Sequence, residues 1–432
     1  MIKNPSGFRD LDPEDAQLKE EIIGKIIAVY QSYGFKPLET PIVEFASVLR
    51  GEVSDFNLFL VNPSKERKKG EAQELAMRFD LTVPLARVMA KYQHFPKPFK
   101  RYQLGEVFRG ERPQKGRYRE FTQLDADIVG SSSIYADIDM LLMMHRVMQS
   151  LDLGDFLIRV NTRKVLNALP KLAMFPENQL RDVLIILDKK EKISQEELKE
   201  MLAELHFDEG QINKIVSFAN IAGSRKEVLE KLKELFHKTK EAEKGIQDLE
   251  RIDSILSLFE DKENIIFDMS IIRGLAYYTG AIFETQIQSH PEYGSVYSGG
   301  HYDHLIEKLG GPALPAVGAS VGIDRLLEIV REKRNSQERR EKKAYAILVY
   351  EEAFLPYAME IAEKLRKSGI VADLHYAQGP IGKQYAYAEF KHYEKVILVG
   401  REANEKRIIH IKNIETREEE KIPFQTEFFK NE

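Results

Sequence analysis

Residues 108–121 read FRGERPQKGRYREF. Five cations and two carboxylates are crowded into these 14 residues, together with two glycines and a proline. The segments on either side, residues 102–108 and 120–129, alternate between apolar and polar side chains. This pattern predicts an antiparallel hairpin with a long charged tip at residues 109–119.

The arginines of this tip suit a ligand that carries phosphate groups. A guanidinium is a planar fork of donors that matches phosphate oxygens and neutralises charge during nucleotidyl transfer. The plain alternative is a solvated charged turn, although the glycines and the proline favour a loop of defined shape. The sequence contains neither a Walker loop nor a dinucleotide-binding fingerprint, so phosphate binding here would depend on arginines.

Composition limits the class of protein. The chain has 432 residues, enough for roughly three structural units. With 43% hydrophobic and 31% charged residues, it is neither a disordered tail, a collagen-like fibre nor a disulfide-stapled module. The absence of cysteine removes disulfides, zinc–thiolate sites and cysteine nucleophiles. His, Asp and Glu do not recur at metal-ligand spacing, so no dedicated metal site is expected.

Location and charge give weaker signals. The longest apolar runs, such as residues 345–350, are far shorter than the ~20 residues of a membrane helix. Residues 1–10 lack the apolar core of a signal peptide, so a cytoplasmic protein without membrane association is predicted. The net charge of −5 does not favour nucleic acid, although a local patch could still bind it.

The remaining pattern predicts an α+β fold in two domains. Residues 14–33 form an amphipathic helix that ends at Gly34, and residues 35–43, with two prolines, form a strand. Residues 165–258 are rich in Leu, Ile, Lys and Glu and predict a helical insertion. Strand patterns resume at residues 265–269, 282–287 and 296–298, and a strand running into a helix at 317–330.

The C-terminal part has a β-α-β texture. Residues 331–343 are highly charged without apolar periodicity and predict an exposed linker. The following segments predict strands at 346–350, 371–375 and 395–399 and helices at 354–368 and 382–390. The predicted domains are therefore 1–330, interrupted by the insertion, and 344–432.

Three further segments contain residues that suit ligand binding. In RGLAYYTG, residues 273–280, glycines flank a tyrosine pair whose hydroxyls could orient a small polar molecule, although such pairs are more often core. SGGHYD, residues 298–303, is a glycine-rich turn that could contribute to a site or could equally be a plain loop. In GASVGIDR, residues 318–325, small residues allow close strand–helix packing and Arg325 lies near a helix start; an Asp324–Arg325 surface pair is the alternative.

Taken in order, these segments resemble the class II aminoacyl-tRNA synthetases, and specifically the histidyl-tRNA synthetase family. The resemblance covers nearly the whole chain, and its motifs are listed in chain order: GFRDL at 7–11, YGF through TP at 33–41, RFDLTVP at 78–84, the hairpin, the RGLxYY segment at 273–278 and the segment ending at Arg325. It implies an antiparallel catalytic sheet flanked by helices. The last 90 or so residues resemble the anticodon-binding domain of that family.

The resemblance implies an ATP site. Arg109 is similar to the arginine that holds the α-phosphate of ATP and the carboxylate of the amino acid. Glu111 resembles the acceptor of the adenine amino group, and Arg117 a residue that meets the terminal phosphates. Phe121 and Arg325 resemble the pair that encloses the adenine ring. Mg²⁺ would accompany ATP, held mainly by phosphate oxygens.

The resemblance also implies a histidine pocket, made of Asp80, Leu81, Thr82, Arg109, Gln123, Asp127, Arg273, Tyr277 and Tyr278. Asp80 and Thr82, assisted by Gln123, would receive the α-ammonium group. Asp127 and Tyr278 would form hydrogen bonds with the two imidazole nitrogens, Asp127 as an acceptor and Tyr278 through its hydroxyl. Arg273 resembles an additional catalytic arginine, which stands where other class II enzymes place a metal ion.

The implied reaction has two steps, activation of L-histidine by ATP to histidyl-adenylate and transfer to the 3′ end of tRNA(His). The implied assembly is a homodimer formed around residues 35–44. Two departures stand out: Ala276 replaces the family's aspartate, and His301 replaces an arginine in a motif that ends at His304 instead of glycine. Together they are interpreted as a compensated charge exchange.

The departures leave a second interpretation open, a histidine-binding paralogue that does not charge tRNA, such as a regulatory subunit of ATP phosphoribosyltransferase. Such relatives generally lack the anticodon-binding domain and lose motif arginines, whereas this chain keeps the domain and Arg109, Arg273 and Arg325. Histidine-dependent ATP–pyrophosphate exchange distinguishes the two.

Overall fold

The computed structural model describes residues 2–50, 58–62, 74–113, 116–190, 193–272, 277–334, 344–376 and 379–424. Internal contacts divide the chain into two units, Met1–Ser336 and Gln337–Glu432. Each apolar cluster found among the described residues lies within one unit, so each unit has a core of its own.

The described helices of the first unit are α1 Pro13–Ser32, α2 Ala46–Arg50, α3 Thr82–Lys91, α4 Ile134–Leu151, α5 Arg163–Leu166, α6 Leu169–Ala173, α7 Leu180–Leu187, α8 Gln195–Ala203, α9 Glu209–Ala219, α10 Arg225–Leu235, α11 Lys240–Leu256, α12 Leu305–Lys308 and α13 Ile323–Arg334. Its described strands are β1 Lys36–Pro37, β2 Val43–Phe45, β3 Leu60–Val61, β4 Leu75–Met77, β5 Phe99–Phe108, β6 Glu120–Val129, β7 Phe156–Thr162, β8 Ile265–Phe267, β9 Ala281–Ile287, β10 Ser295–Tyr302 and β11 Ala316–Gly322.

Eight of these strands form one sheet in the order β1-β5-β6-β11-β10-β9-β7-β8. The neighbouring pairs from β5 to β7 are antiparallel, and the two outermost pairs, β1 with β5 and β7 with β8, are parallel. Helices α1 and α4 bury their apolar stripes against one face, which receives Leu124, Ala126 and Ile128 of β6. Since side chains alternate along a strand, the intervening residues of β6 face the other way.

The hairpin predicted from the charged stretch is confirmed. Strands β5 and β6 pair from Phe99↔Val129 to Phe108↔Glu120. The pairing continues into the tip, where the Arg109 amide donates to the Arg119 carbonyl at 2.8 Å. Strand β6 has the predicted bounds, whereas β5 begins at Phe99, three residues before the predicted start.

The predicted N-terminal helix is confirmed, and the strand after it is largely wrong. Helix α1 starts from Asp12, whose side chain accepts from the Asp15 amide at 2.8 Å, and gives way to Gly34 at φ +82°. Only Lys36–Pro37 then forms a strand of the large sheet, followed by one further bond from the Leu38 amide to the Tyr102 carbonyl at 2.9 Å. The chain pairs again at Val43–Phe45, in a separate sheet ordered β2-β4-β3.

The insertion is helical, as predicted. Helices α5 to α11 follow one another from Arg163 to Leu256, and strand structure resumes at Ile265. Three of these helices begin with a capping box, in which the side chain of the first residue and that of the third helical residue satisfy each other's backbone amides. The pairs are Ser194 with Glu197, Asp208 with Gln211, and Ser224 with Glu227.

Helix α13 runs to Arg334, so the linker prediction is wrong for its first four residues. Apolar residues of α13, including Leu327 and Ile329, are fully buried, and Arg331 Nη1 lies 3.4 Å from Asp15 Oδ2 on α1. These contacts keep the charged last turn helical although its own sequence has no apolar period. Residues 335–343 of the predicted linker lie outside the described residues.

The second unit is an α/β domain, as predicted. Its elements are β12 Ala344–Val349, α14 Leu355–Lys367, β13 Val371–Leu374, α15 Ile381–Phe390, β14 Lys395–Val399, α16 Arg401–Lys406, β15 Ile408–Asn413 and β16 Glu419–Pro423. The sheet order is β13-β12-β14-β15-β16, with the first three strands parallel. The antiparallel strands β15 and β16 were not predicted. None of the helices in the described parts of either unit has the length and apolarity to cross a membrane.

Candidate active site

A cavity of about 500 Å³ opens on the face of the large sheet opposite α1 and α4. This volume is typical of a site for a small molecule. Eleven of the residues predicted to bind ATP or histidine line it: Asp80, Thr82, Arg109, Glu111, Arg117, Phe121, Gln123, Asp127, Tyr277, Tyr278 and Arg325. Residues from distant parts of the sequence therefore meet at one place.

Strand β6 supplies the floor of this cavity through its alternation. Phe121, Gln123, Asp125 and Asp127 are spaced by two residues and all line the cavity. Three of them pair with small residues of the neighbouring strand β11. Gln123 pairs with Gly322, Asp125 with Ser320 and Asp127 with Gly318. A Cβ atom on Gly318 would lie 1.9 Å from Asp127 Oδ1, so this glycine makes the space that the Asp127 carboxylate occupies.

The cavity is rich in arginine. Arg109 Nε donates to the Phe79 carbonyl at 3.1 Å, and its guanidinium carbon lies 5.0 Å from the centre of the Phe121 ring. Arg325 donates to the Ser295 carbonyl. Burial, followed by the nearby charges of Arg117 and Arg109, lowers the pKa of Arg325 to about 10. Cations that disfavour one another in this way form a binding site for an anion.

The same cavity also contains carboxylates, of which Asp80 lies within electrostatic range of Arg109. Asp80 Oδ1 accepts from the Val83 amide at 3.1 Å, where α3 begins, and Oδ2 has no hydrogen-bond partner among the described residues. Burial raises the pKa of Asp80 to about 6. Gln123 Nε2 donates to Ser320 Oγ at 2.9 Å, which leaves its Oε1 without a partner in the described part of the chain. These unmatched acceptors suit a ligand that carries donors.

Asp127 accepts a hydrogen bond at one oxygen and forms an ion pair at the other, which has no hydrogen-bond partner among the described residues. The Tyr302 hydroxyl donates to Oδ1 at 2.8 Å, and Arg101 Nη2 lies 2.6 Å from Oδ2. Burial raises the pKa of Asp127, and the Arg101 charge opposes this effect. The carboxylate is thereby fixed in orientation at the cavity wall.

Two predicted residues are not placed in the cavity. Leu81 is fully buried and is not part of the lining; its carbonyl accepts from Arg101 Nη2 at 3.1 Å. The Leu81 side chain is buried while its backbone holds Arg101, and the assignment of Leu81 to the histidine pocket stays a prediction. Arg273, like Ala276, lies outside the described residues.

Sequence reasoning missed four residues that shape the site: Arg101, Asp125, Tyr302 and Ser320. Asp125 could have been predicted from the sequence. It lies two residues from both Gln123 and Asp127, and side chains spaced by two lie on the same face of a strand. Tyr302 was hidden because its segment, residues 298–303, was interpreted as a turn, whereas Ser295–Tyr302 is strand β10. Arg101 gives no signal, since a fully buried arginine looks like a surface residue in the sequence.

His301 is the residue that departs from the family pattern. Its Nδ1 lies 3.0 Å from Asp137 Oδ1 and its Nε2 3.1 Å from Asp303 Oδ1. Burial acts to lower the pKa of His301, and the two carboxylates outweigh it and raise that pKa. The two carboxylates thus favour the cationic form of His301, at the position where the resemblance places an arginine. His304 is exposed, with Nδ1 3.5 Å from Glu307 Oε2.

The part of the chain that the structure describes holds no group of three or more His, Asp or Glu side chains arranged to bind a metal ion. Two carboxylates, Glu111 and Glu284, line the cavity together with Arg325. They are oxygen ligands of the kind that Mg²⁺ accepts when most of its coordination comes from phosphates and water.

Comparison with known proteins covers both units. The family model described as "Histidyl-tRNA synthetase" matches residues 7–326, and that described as "Anticodon binding domain" matches residues 342–428. The histidine–tRNA ligase of Helicobacter pylori (strain HPAG1) is 39% identical over 418 residues, 95% of this chain and 93% of that protein. The histidine–tRNA ligase of Clostridium tetani is 36% identical over 432 residues, 97% of this chain and 95% of that protein.

Solved structures agree in fold. The crystal structure of histidyl-tRNA synthetase from Nostoc sp. PCC 7120 superposes with a TM-score of 0.87 at 29% identity, covering 100% of this chain and 99% of that one. A Bacillus halodurans protein described as an ATP phosphoribosyltransferase regulatory subunit/histidyl-tRNA synthetase gives a TM-score of 0.75 at 22% identity, covering 90% and 96%. At that identity, the second similarity concerns the fold alone.

Proposed function

Because the chain belongs to the histidyl-tRNA synthetase family, we propose that it activates L-histidine with ATP and transfers it to the 3′ end of tRNA(His). The observation that carries this proposal is a single cavity lined by both arginines and buried carboxylates. ATP is polyanionic, and the ammonium and ring of histidine are donors. The arginines and the carboxylates therefore complement the two substrates of the first step.

We assign the phosphates of ATP to Arg109 and Arg117. Arg109 is also assigned to the histidine carboxylate, because a guanidinium fork can bridge two anions. Phe121 and Arg325 are assigned to the faces of adenine and Glu111 to its amino group. The support is that all five residues line the same cavity.

We assign the α-ammonium group of histidine to Asp80, Thr82 and Gln123. Asp127 and Tyr278 are assigned to the imidazole nitrogens, and Tyr277 to the pocket wall. Arg273 is assigned a catalytic role from the resemblance alone. Buried groups made to pair with imidazole penalise analogues that leave them unpaired, so histidine is selected without editing.

The chemistry needs no side-chain nucleophile. The histidine carboxylate attacks the α-phosphorus of ATP, and pyrophosphate leaves. The terminal ribose hydroxyl of the tRNA then attacks the carbonyl of the adenylate, and AMP leaves. The protein positions the reactants and neutralises developing charge, two effects that each contribute several kcal/mol in comparable sites. Mg²⁺, bound with ATP, would add charge neutralisation at the phosphates, with Glu111 and Glu284 as available carboxylates.

The domains are assigned in the same way. We assign residues 1–330 to the class II catalytic domain, the insertion at 165–258 to contacts with the acceptor stem and residues 344–432 to the anticodon. The match of residues 342–428 to an anticodon-binding family supports the last assignment. We also propose a homodimer through residues 35–44 and a cytoplasmic location, and membership of the family supports both.

ATP–pyrophosphate exchange tests the proposal. Exchange should depend on histidine, and Arg109→Ala should reduce it at least a thousandfold without changing the melting temperature by more than a few degrees. The matched control is Arg112→Ala, because Arg112 is exposed in the same hairpin tip and does not line the cavity. Histidine binding without exchange would support the regulatory-subunit interpretation, which the full-length ligase relatives and the anticodon-domain match make the weaker one.

A further inference from the structure

His301 lies behind the cavity, on the face of β10 that is turned toward α4. The next residue, Tyr302, lines the cavity, and side chains alternate between the two faces along a strand. Although His301 is titratable, only 11% of its side chain is exposed. The proposed function gives this buried imidazole no role.

Both ring nitrogens of His301 contact carboxylates. Nδ1 lies 3.0 Å from Asp137 Oδ1 on α4, and Nε2 lies 3.1 Å from Asp303 Oδ1, just after β10. Hydrogen bonds at both nitrogens need two protons, and a neutral imidazole carries only one. The three side chains, which we call the His301 bridge, therefore need one additional proton to form both contacts.

The His301 bridge continues into the segment that carries Tyr278. The Thr279 hydroxyl donates to Asp303 Oδ2 at 2.7 Å, and the Thr279 amide donates to the His301 carbonyl at 2.8 Å. The Tyr278 ring packs on β10, since a Cβ on Gly300 would lie 3.0 Å from Tyr278 Cδ1. Because Tyr278 lines the cavity, the bridge is connected to the cavity wall through its neighbour Thr279.

The His301 bridge is anchored on α4. Asp137 is 2% exposed, in the first turn of a helix that packs on the sheet. On the other side, Gly280 approaches the imidazole closely, because a Cβ there would lie 2.9 Å from His301 Cβ. The helix therefore fixes the ring, and the ring in turn fixes Asp303 and Thr279.

Resting on the proposed function, we propose that His301 is a positioning residue of the histidine site. Its proton-dependent bridge from α4 to Asp303 fixes Thr279 and thereby the Tyr278 hydroxyl, which is assigned to the imidazole of the substrate. When the additional proton is lost, one of the two ring contacts is lost as well. The Tyr278 segment is then held less firmly, and histidine binds more weakly.

The surrounding charges determine when the bridge is protonated. The groups that face the ring or its two carboxylates are Asp137 of α4, Asp303 and His304 after β10, Lys164 of α5 and Asp248 of α11. Burial acts to lower the pKa of His301, and the two carboxylates outweigh it and raise that pKa. Burial also raises the pKa of Asp137, which His301 opposes. The bridge is therefore intact at low pH and is lost as the pH rises through the raised pKa of His301.

The first test compares the full-length protein with His301→Gln in steady-state ATP–pyrophosphate exchange. Glutamine cannot take up the additional proton. At pH 6.5 the KM for histidine should be about tenfold higher in the variant, and the two values should converge at pH 9. The KM for ATP should differ less than twofold at both pH values. Free histidine and the buried carboxylates of the cavity also titrate in this range, but they are common to both proteins and cancel in the ratio.

His301→Arg is the rescue variant, because a guanidinium keeps its charge over this whole range. Its KM for histidine at pH 6.5 should be within about threefold of that of the unchanged protein, and it should stay low at pH 9. The matched control is His304→Gln, which removes an exposed imidazole three residues further along the chain. This control should keep the KM values and the pH profile of the unchanged protein.

A double-mutant cycle tests the connection through Thr279 independently of pH. Thr279→Val removes the hydroxyl that donates to Asp303 and keeps the shape of the side chain. At pH 6.5 this variant alone should raise the KM for histidine about tenfold. Combined with His301→Gln it should add less than twofold, because both substitutions break the same connection. Two effects that multiply to about a hundredfold would overturn the proposal.

The outcomes separate the inference from the function on which it rests. A rise of both KM values in His301→Gln, or a lowered melting temperature with both KM values unchanged, would overturn the positioning role. A ratio of histidine KM values that is the same at pH 6.5 and pH 9 would overturn the proton-dependent bridge. The ligase proposal survives each of these results. An unchanged protein that shows no histidine-dependent exchange would instead contradict the proposed function.

Discussion

Asp127 shows how a single carboxylate is prepared for a ligand. Tyr302 and Arg101 hold its two oxygens, at 2.8 Å and 2.6 Å. A carboxylate that is already fixed in orientation loses little conformational entropy when the substrate binds. Ordering the site therefore reduces the affinity less. The orientation of Asp127 is therefore as much a property of its neighbours as of the residue itself.

Tyr302→Phe tests this arrangement. The substitution removes the hydroxyl that donates to Asp127 Oδ1 and keeps the ring, so we expect the KM for histidine to rise about tenfold, the equivalent of ~1.4 kcal/mol. The KM for ATP should change less than twofold. Steady-state exchange kinetics measure both constants.

The matched control for that substitution is Tyr297→Phe. Tyr297 lies on the same strand, and its hydroxyl meets the Tyr30 hydroxyl at 2.8 Å, away from the cavity lining. Its loss should lower stability and leave both KM values unchanged. An equal rise in both KM values for Tyr302→Phe would show that the hydroxyl does not act through histidine binding.

Strand β11 lines the site with small residues and so leaves room for the side chains of the neighbouring strand β6. Gly318→Ala should place a methyl group on the Asp127 carboxylate, since the Cβ position lies 1.9 Å from Oδ1 and the two strands are directly paired. We expect histidine binding to weaken at least tenfold. Calorimetric titration with histidine, without ATP, measures the change.

Gly322→Ala is the steric control on the same strand. A Cβ at Gly322 would meet its nearest neighbours only at 3.8 Å, which is ordinary van der Waals contact. This variant should fold and bind histidine as the unchanged protein does. Similar losses in both variants would mean that β11 tolerates no side chain at all, and the specific link to Asp127 would be lost.

The N-terminal segment joins the hairpin tip to helix α13. Arg9 Nη1 lies 2.6 Å from Glu328 and Nη2 2.6 Å from Asp324, while Nη1 also donates to the Tyr118 hydroxyl at 3.0 Å. The Asp324 carboxylate in turn accepts from the Thr122 amide at 2.6 Å. The element that carries Arg325 is thereby connected to the hairpin that carries Arg109.

Arg9→Ala should loosen this connection. We expect the KM for ATP to rise about tenfold, and unfolding to become easier by about 2 kcal/mol, since the ion pairs are only partly exposed. Arg9→Lys keeps the positive charge but loses the planar guanidinium. Its KM for ATP and its stability should therefore lie between those of the unchanged protein and those of Arg9→Ala. Exchange kinetics and thermal unfolding are the measurements. An unchanged KM for ATP with lowered stability would limit Arg9 to a structural role.

Elements with a clear period could be predicted from the sequence, and elements that depend on distant contacts could not. Strand β6 and helix α1 follow from alternation and from apolar spacing, and both were found. Strand β10 was predicted only at residues 296–298, because the glycines that follow indicate a turn, whereas they are needed for close packing: a Cβ on Gly299 would lie 2.2 Å from the Gly318 carbonyl oxygen. Strand β16 was missed because its side chains are mostly exposed and charged.

The residues of the site also fall into two groups, those that a sequence motif indicates and those that only the assembled sheet reveals. Most of its residues were named from motifs, and the structure brings eleven of them to one cavity. Arg101 was out of reach, because only the assembled sheet shows that this arginine is fully buried beside Asp127. Leu81 was named by its place in a motif, although its side chain belongs to the core.

At the scale of the whole molecule, the two units have separate apolar cores. The described residues that line the cavity all belong to the first unit. A fragment of residues 1–334 should therefore keep histidine-dependent exchange within about threefold of the full chain. It should lose at least a hundredfold in charging of tRNA(His), because the proposed anticodon contacts are removed.

The two activities of that fragment are measured by exchange and by transfer of labelled histidine to tRNA. The control is the same fragment carrying Arg109→Ala, which should be inactive in both. A fragment that charges tRNA as well as the full chain would remove residues 344–432 from tRNA recognition.

The order of the large sheet has a consequence for biosynthesis. Strand β11 lies between β6 and β10, yet it is the last strand of that sheet to leave the ribosome. Until residue 322 has emerged, the nascent chain can hold the β5–β6 hairpin and the β7–β9–β10 ribbon only as separate pieces, each with an unpaired edge. Such edges are sites of misassociation. Chaperone protection during translation is therefore most valuable in this interval, which ends when one short glycine-rich strand joins the two halves.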